Sequence, residues 1–387
     1  MKITSVEIFH VDLRDRPPRH QLVVLRLRTA DGLSGLGEIA MAYGDGAESC
    51  VAMAAALAKK YVLGADAGRP EALWQRIFRD SYWGAGRSLA LYGALSAIDI
   101  ACWDIKARAA GLPVHAILGG KLRDEVELYA NHWYRDAHTP GQFAERARAV
   151  IAAGFRGLKF DPLRSNASRC EVPSAWLSGS TERLAIERVA AVREAIGPDA
   201  RLCIDLHGSS AAPEALRLAR ALAPFKPFFV EEPTDTLSVA HWARLRAEAG
   251  VPLAGGERLY TRQDFIPFFE ARVFDYIQPD IGLAGGFTEM RKIAAMADAY
   301  HVAVQPHNCA GPICSAATLH LVATLPNFVV QEWFPWWEDG RGGIVTTPPE
   351  GAERDGRIQI PDTPGLGLEL DEAYMRPWLA HHLRAGG

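Results

Sequence analysis

Six times between Arg201 and Trp333 a short apolar run ends in an acid or a histidine: Asp205, Glu231, Glu257, Asp280, His307 and Glu332. Asp205, Glu231 and Glu257 close three consecutive runs. Carboxylates on neighbouring strands about 5 Å apart repel strongly if ionised and unshared. A hard divalent cation removes that repulsion, and all-oxygen ligation favours magnesium. The plainer alternative is that members of the trio pair with Arg or Lys. Arg258 follows Glu257 directly, but successive strand residues point to opposite faces, so the metal reading leads. Asp280 and His307 end the next two runs. An Asp beside a His fixes the imidazole tautomer and raises its basicity, which suits a general base. His207 lies two positions past Asp205, on the same side of its strand and facing the same mouth. Two histidines on opposite walls of a metal site can serve as base and acid. A solitary histidine there is more often a core or loop residue; its place beside a ligand raises the case for chemistry. Glu332 completes the ring as a hydrogen-bonding or charged wall group.

Positioning these residues takes a repeat. Successive end residues are 26, 26, 23, 27 and 25 positions apart, which is one strand, one helix and two short loops per step. Apolar strands alternating with helices give parallel strands buried on both faces. At least five such units in series point to a β/α barrel rather than an open sheet. All strand C-termini then share one face, where barrel active sites lie. Any one of the six polar residues alone could be an exposed loop residue, but six at a constant phase form a set.

The repeat begins earlier, with a first strand over Val126–Asn131, a helix over Thr139–Ala153 and a second strand over Phe155–Phe160, which leads into Asp161. The polar stretch Leu163–Ser180 is long for such a connection and reads as an insertion or part of a lid. A helix over Thr181–Ile196 stops at Gly197-Pro198. Residues 1–125 have another rhythm. Strands are expected over Ile3–Val11, Gln21–Arg28 and Ser34–Ile39, with a turn at Asp31-Gly32. Helices follow over Ala47–Val62, Arg69–Phe78 and Ser88–Ala110, the last closed by Gly111-Leu-Pro. This is an α+β module with two polar loops, Arg14–His20 and Ala40–Gly46. After Glu332 the period lapses, and the tail is expected to pack back on the first module. The division is therefore 1–125, 126–335 and 336–387.

Composition excludes several classes. The 387 residues are 49% hydrophobic and 23% charged, with a net charge of −4, so no basic surface argues for nucleic acid or anionic membrane. The N-terminus lacks the apolar core of a signal peptide, and no apolar run is long enough to span a bilayer. The six cysteines form no CxxC pair and read as reduced thiols of a cytoplasmic protein.

The ordered motifs Asp205-Leu-His-Gly, Glu231-Glu-Pro, Gly256-Glu257-Arg, Gln278-Pro-Asp280, Pro306-His307-Asn and Gln331-Glu332 resemble the enolase superfamily, mandelate racemase subgroup. The leading module resembles that family's capping domain, through Ala97-Ile-Asp-Ile-Ala-Cys-Trp-Asp-Ile-Lys and Pro113-Val-His-Ala-Ile-Leu-Gly-Gly. Asp205-x-His207 with the Asp280/His307 pair is most similar to the D-galactonate dehydratase group. The resemblance implies a (β/α)₇β TIM-like barrel with an N-terminal α+β cap completed by the C-terminal tail. It also implies Mg²⁺ on Asp205, Glu231 and Glu257, and removal of a proton α to a carboxylate to give a metal-stabilised enediolate, chemistry the superfamily performs with a Lys or His base.

One departure matters. Racemase-type members carry Lys-x-Lys at the second strand, and here the positions read Lys159-Phe-Asp161. A two-base proton transfer through that second lysine is disfavoured. Lys159 has two readings, a partner for the substrate carboxylate or an ion pair with Asp161 or a neighbouring strand-end acid. The expectation is dehydration of a sugar acid, an aldonate such as D-galactonate, to a 2-keto-3-deoxy acid. His307 oriented by Asp280 takes the C2 proton, His207 protonates the leaving 3-hydroxyl, Glu332 hydrogen-bonds an enediolate oxygen, and cap loops set specificity. Alternatives are a racemase, epimerase or lactone cycloisomerase of the same superfamily, or a non-catalytic paralogue that binds a sugar acid. The expected partners are a small-molecule substrate and further copies of the chain, with no nucleic acid and no membrane.

Overall fold

Runs rich in Val, Ile and Leu form β1 (Ile3–Asp12), β2 (Gln21–Thr29) and β3 (Ser34–Ile39), an antiparallel meander. The computed structural model describes residues 1–16, 20–40, 46–82, 84, 86, 88–163, 175–336 and 340–386. Parts of both expected cap loops (17–19 and 41–45), most of the expected lid segment (164–174) and Cys170 lie outside the described residues. Three helices follow, α1 (Ala47–Leu57), α2 (Pro70–Asp80) and α3 (Leu89–Ala110). The helix expected over Ala47–Val62 changes winding part-way, and its last turn, Ala58–Val62, is π-helical. Ser88 caps α3 by accepting from Leu91 N, and Gly111 ends it in a left-handed conformation. α3 crosses β3 at very short range. A Cβ on Gly37 would stand 1.9 Å from the Ala97 carbonyl oxygen, so only glycine permits the approach.

The barrel strands are β4 (Glu125–Ala130), β5 (Gly157–Phe160), β6 (Arg201–Asp205), β7 (Phe229–Glu231), β8 (Leu253–Gly255), β9 (Tyr276–Ile277), β10 (Ala303–Val304) and β11 (Gln331–Trp333). They are parallel, in the order β10-β9-β8-β7-β6-β5-β4-β11, and a parallel bridge between Val304 and Phe328 links β10 to the chain entering β11. The expected architecture, a curled parallel α/β sheet behind an antiparallel capping module, is the one observed. Two strands of the tail follow. β12 (Arg357–Gln359) pairs antiparallel with β4, and β13 (Leu379–Arg384) pairs antiparallel with β1.

Strands β8, β9 and β10 end earlier than the sequence pattern suggests, so Glu257, Asp280 and His307 sit just beyond them rather than on them. For β9 and β10 the reason is local: Pro279 and Pro306 have no N–H to offer a ladder. The loops after β9 and β10 are therefore held by other means. Asp99 of α3 accepts from Thr288 N at 2.9 Å and Thr288 Oγ1 at 2.5 Å, at the start of the helix Gly286–Ala299. Trp103 Nε1 donates to the same hydroxyl, and Trp74 Nε1 donates to the Gly285 carbonyl. The five described cysteines are buried, and none is in a disulfide. Among the described residues, no helix is long and apolar enough to cross a membrane.

Gly37→Ala should force β3 away from α3. Overpacking of this kind costs about 1–3 kcal/mol, to be read as a lower thermal midpoint. An unchanged midpoint would mean that the strand can retreat without loss.

Candidate active site

The barrel brings the acids together by register. Asp205 on β6 and Glu231 on β7 are direct partners. Lys159 on β5 is partnered with Cys203, two residues before Asp205, and so shares that residue's face. Its Nζ lies 2.8 Å from Glu231 Oε2, 2.8 Å from Glu332 Oε1 and 3.3 Å from Asp205 Oδ2, and the side chain is 1% exposed. Of the two readings of Lys159, this geometry is the ion pair with strand-end acids. Asp161 turns instead to His207, with Oδ2 2.9 Å from Nδ1.

Glu257 faces the other way, with Oε1 3.1 Å from Arg258 Nη2 and Oε2 3.4 Å from His307 Nε2. The alternation argument that set Arg258 aside does not apply, because both residues lie past the end of β8. Arg258 also pairs with Glu232. His307 Nδ1 lies 2.7 Å from Asp280 Oδ2, so the expected pair is in contact. His207 is reached through a left-handed residue (φ 49°) rather than by strand alternation. Its N–H donates to Asp205 Oδ1 at 2.9 Å, and its Nε2 lies 3.4 Å from Asp205 Oδ2. The two imidazoles thus stand against different members of the carboxylate trio.

Glu332 accepts from Asn131 Nδ2 at 2.6 Å and from Asn308 N at 3.1 Å, besides its contact with Lys159. With donors on both oxygens it is an acceptor, which does not favour the expected hydrogen bond from Glu332 to an enediolate. Asn131, Asn308 and Gln278, whose Nε2 donates to Glu231 Oε2 at 2.7 Å, had no assigned role in the sequence reading. Asn131 ends the first-strand run and Gln278 sits two positions before Asp280, so both were within reach of the same phase argument.

Charge at this mouth is crowded. Burial and the Asp205 charge push the Glu231 carboxyl up to about 8, against the pull of Lys159. Burial also works against ionised Asp205, but His207 and Lys159 outweigh it and hold that carboxyl below its ordinary range. Burial opposes a charged His207, yet Asp205 and Asp161 raise it to about 9. For His307, burial is likewise overcome, by the Glu257 charge and the Asp280 hydrogen bond among others, and its pKa stands well above the usual imidazole value.

The trio is not gathered about one point. Among the described residues no three His, Cys, Asp or Glu side chains stand in a metal-holding group. Lys159 draws Asp205 and Glu231 inward, while Arg258 and His307 hold Glu257 on the other side. The donor set nonetheless fits a hard cation. It is all carboxylate oxygen, and buried Glu231 Oε1 has no hydrogen-bond partner among the described residues. The sequence argument that the trio lacks protein counter-charge needs correction, since Lys159 and Arg258 both supply it.

Residues 10–119 match the family described as mandelate racemase / muconate lactonizing enzyme, N-terminal domain, and residues 142–374 match the enolase C-terminal domain-like family. A D-galactonate dehydratase of Ralstonia nicotianae is 35% identical over 379 residues, covering 97% of this chain and 94% of that protein. A D-gluconate dehydratase of Thermoproteus tenax is 34% identical over 319 residues, covering 82% of this chain and 62% of that protein. Among solved structures, a member of the enolase superfamily from Salmonella Typhimurium superposes with a TM-score of 0.91 at 32% identity, covering 99% of this chain and 100% of that one. A mandelate racemase/muconate lactonizing enzyme from Jannaschia sp. CCS1 gives 0.89 at 31% identity, covering 99% of each chain.

Lys159→Met should be strongly destabilising, because removing one partner of a buried ionic cluster strands the others at about 3–5 kcal/mol. Urea denaturation reads this directly. A loss below about 1 kcal/mol would mean that the acids shed their charge by taking up protons instead.

Proposed function

Because the chain belongs to the mandelate racemase / muconate lactonizing enzyme family of the enolase superfamily, we propose that it is a Mg²⁺-dependent sugar acid dehydratase. The reaction is loss of water across C2 and C3 of an aldonate, D-galactonate being the first candidate, to give a 2-keto-3-deoxy sugar acid. In this reading residues 1–125 are the cap, 126–335 carry the site and 336–387 tie the two together, in a cytoplasmic homo-oligomer. What supports the reading most is the pair of imidazoles, each held by its own aspartate, at different members of a carboxylate trio. Relatives that share about a third of its residues over most of the chain are named D-galactonate dehydratase.

Asp205, Glu231 and Glu257 would hold the cation, which when bound supplies Lewis-acid stabilisation of the charge developing on the substrate carboxylate. His307 removes the C2 proton through Nε2, while Asp280 holds Nδ1 and stabilises the imidazolium that forms. Glu257 is one of the charges that keep a proton on His307, so occupying that carboxylate favours the neutral imidazole a base requires. His207, raised to about 9, carries a proton at neutral pH and donates it to the departing 3-hydroxyl. Asp161 and Asp205 fix its ring. Lys159 is paired with Asp205, Glu231 and Glu332 and is not placed to act as a second base, which tells against a racemase working through it. Glu332 steadies Lys159 and, through Asn308 N, the loop that bears His307.

Two outcomes follow. Chelation should abolish keto-acid formation and added Mg²⁺ should restore it; full activity in metal-stripped protein would end the metal assignment. The histidines should separate. His307→Asn should lose both C2 exchange with solvent deuterium and dehydration, whereas His207→Asn should lose dehydration, by about 10²–10⁴, while exchange continues. Equal loss of both reactions in His207→Asn would move that residue from leaving-group protonation to proton abstraction or metal-site integrity.

A further inference from the structure

The loop that bears His307 runs straight into the helix Pro312–Val322, whose N-cap is Gly311. A glycine has no side chain to cap with, and Cys314, three positions on, cannot supply the reciprocal acidic partner of a capping box. Both bonds come instead from one side chain of the other module. Glu38 of β3 accepts from Gly311 N through Oε1 at 2.6 Å and from Cys314 N through Oε2 at 3.0 Å. Glu38 is fully buried. The approach is so close that a Cβ on Gly311 would lie 2.3 Å from Glu38 Oε1. The opposite polarity of the same loop is met by buried Arg341, which donates to the Cys309 and Ala310 carbonyls at 3.1 and 2.9 Å.

The end of β3 also reaches the loop of the second partner. Ala40 N donates to the Gly282 carbonyl at 3.3 Å, and Gly282 N in turn donates to Asp280 Oδ1 at 2.8 Å. One short segment of the cap thus anchors the His307 loop at Gly311 and the Asp280 loop at Gly282. Strands β9 and β10 are too short to fix either side chain.

We propose that Glu38 is a positioning residue for the His307–Asp280 pair, so that docking of the cap sets the geometry of proton abstraction. This rests on the reading of His307 as the base. Glu38 touches no reacting atom in this account; it acts by fixing where the loop places the imidazole.

Glu38→Gln keeps the volume but offers one carbonyl oxygen to two N–H donors and turns an NH₂ toward one of them. With D-galactonate, or whichever aldonate the wild type dehydrates, its kcat should fall about 10- to 100-fold, the penalty of small misplacement, with KM nearly unchanged and C2 exchange falling in step. Asp104→Asn is the control. Asp104 is an equally buried cap acid that accepts from Leu36 N, Leu366 N and Arg108 Nε rather than from the loops that carry His307 and Asp280. It should lower the thermal midpoint and leave kcat unchanged at temperatures where the variant is folded. Should Glu38→Gln fail to fold, Glu38→Asp, which keeps both acceptor oxygens on a shorter arm, is measured in the same way with the same kcat loss expected. Normal kcat in the folded Glu38 variant beside an inactive His307→Asn overturns the role of Glu38 alone. Equal kcat losses in the Glu38 and Asp104 variants overturn it as well, by making it general cap docking. Wild-type C2 exchange in His307→Asn overturns the base assignment, and this proposal with it.

Discussion

A single buried ammonium among three carboxylates sets the terms for the barrel mouth. Lys159 cannot neutralise Asp205, Glu231 and Glu332 together, and burying unbalanced charge costs several kcal/mol per ion. The excess shows in opposite displacements of two register partners, Asp205 held low and Glu231 pushed up to about 8. The site therefore carries a standing demand for positive charge. Protons on His207 and His307 meet part of it, and a divalent cation on the trio would meet it too. Proton affinity of the two imidazoles and cation affinity of the acids are thus set by one field.

That field can only be used if the groups are held still, and the barrel holds them unequally. β6 and β7 reach Asp205 and Glu231 with the ladder intact, which sets the two opposite each other. β9 and β10 are two residues long and stop before Pro279 and Pro306. Beyond that point the chain is fixed by the cap, through Asp99 at the helix Gly286–Ala299 and Glu38 at the helix Pro312–Val322. Both acids occupy helix N-termini, where free N–H groups and the helix dipole favour negative charge. The cap is docked by the elements that carry His307 and Asp280.

The phase of the apolar runs was enough to find Asp205, Glu231, Glu257, Asp280, His307 and Glu332, because every parallel strand delivers its C-terminus to the same face. What the phase could not carry is what happens one residue past a strand. Arg258 was set aside by alternation, which holds on a strand and fails in the turn where it lies. Lys159 could have been found by the same rule that found Asp205: its register partner is Cys203, on Asp205's face. Its three contacts come from β6, its neighbour, and from β7 and β11, each two strands away, which the curl of the sheet brings within reach, and no local pattern encodes that. The change to π-helical winding at Ala58 has no composition signal that we can identify.

The Asp-x-His spacing at 205–207 has a physical basis other than alternation, and the same basis recurs. Asp205 Oδ1 accepts from the N–H two residues on, that of His207, at 2.9 Å. Asp280 Oδ1 does so from Gly282 N at 2.8 Å, and Asp161 Oδ1 from Leu163 N at 2.8 Å. Each is an Asx turn, a bond that a side chain of aspartate length makes to its own backbone two residues ahead. The turn immobilises one carboxylate oxygen and leaves the other directed. Asp280 Oδ2 then holds His307 Nδ1, Asp161 Oδ2 holds His207 Nδ1, and Asp205 Oδ2 meets both Lys159 and His207 Nε2. For His207 the arrangement requires a left-handed backbone, φ 49°, a strain of about 1–3 kcal/mol for a non-glycine residue. A longer glutamate in the same positions would lose the local bond and free the oxygen that aims the imidazole. Aspartates therefore hold the histidines, while glutamates, which reach further with no turn of their own, serve where Lys159, Arg258 and two asparagines already restrain them.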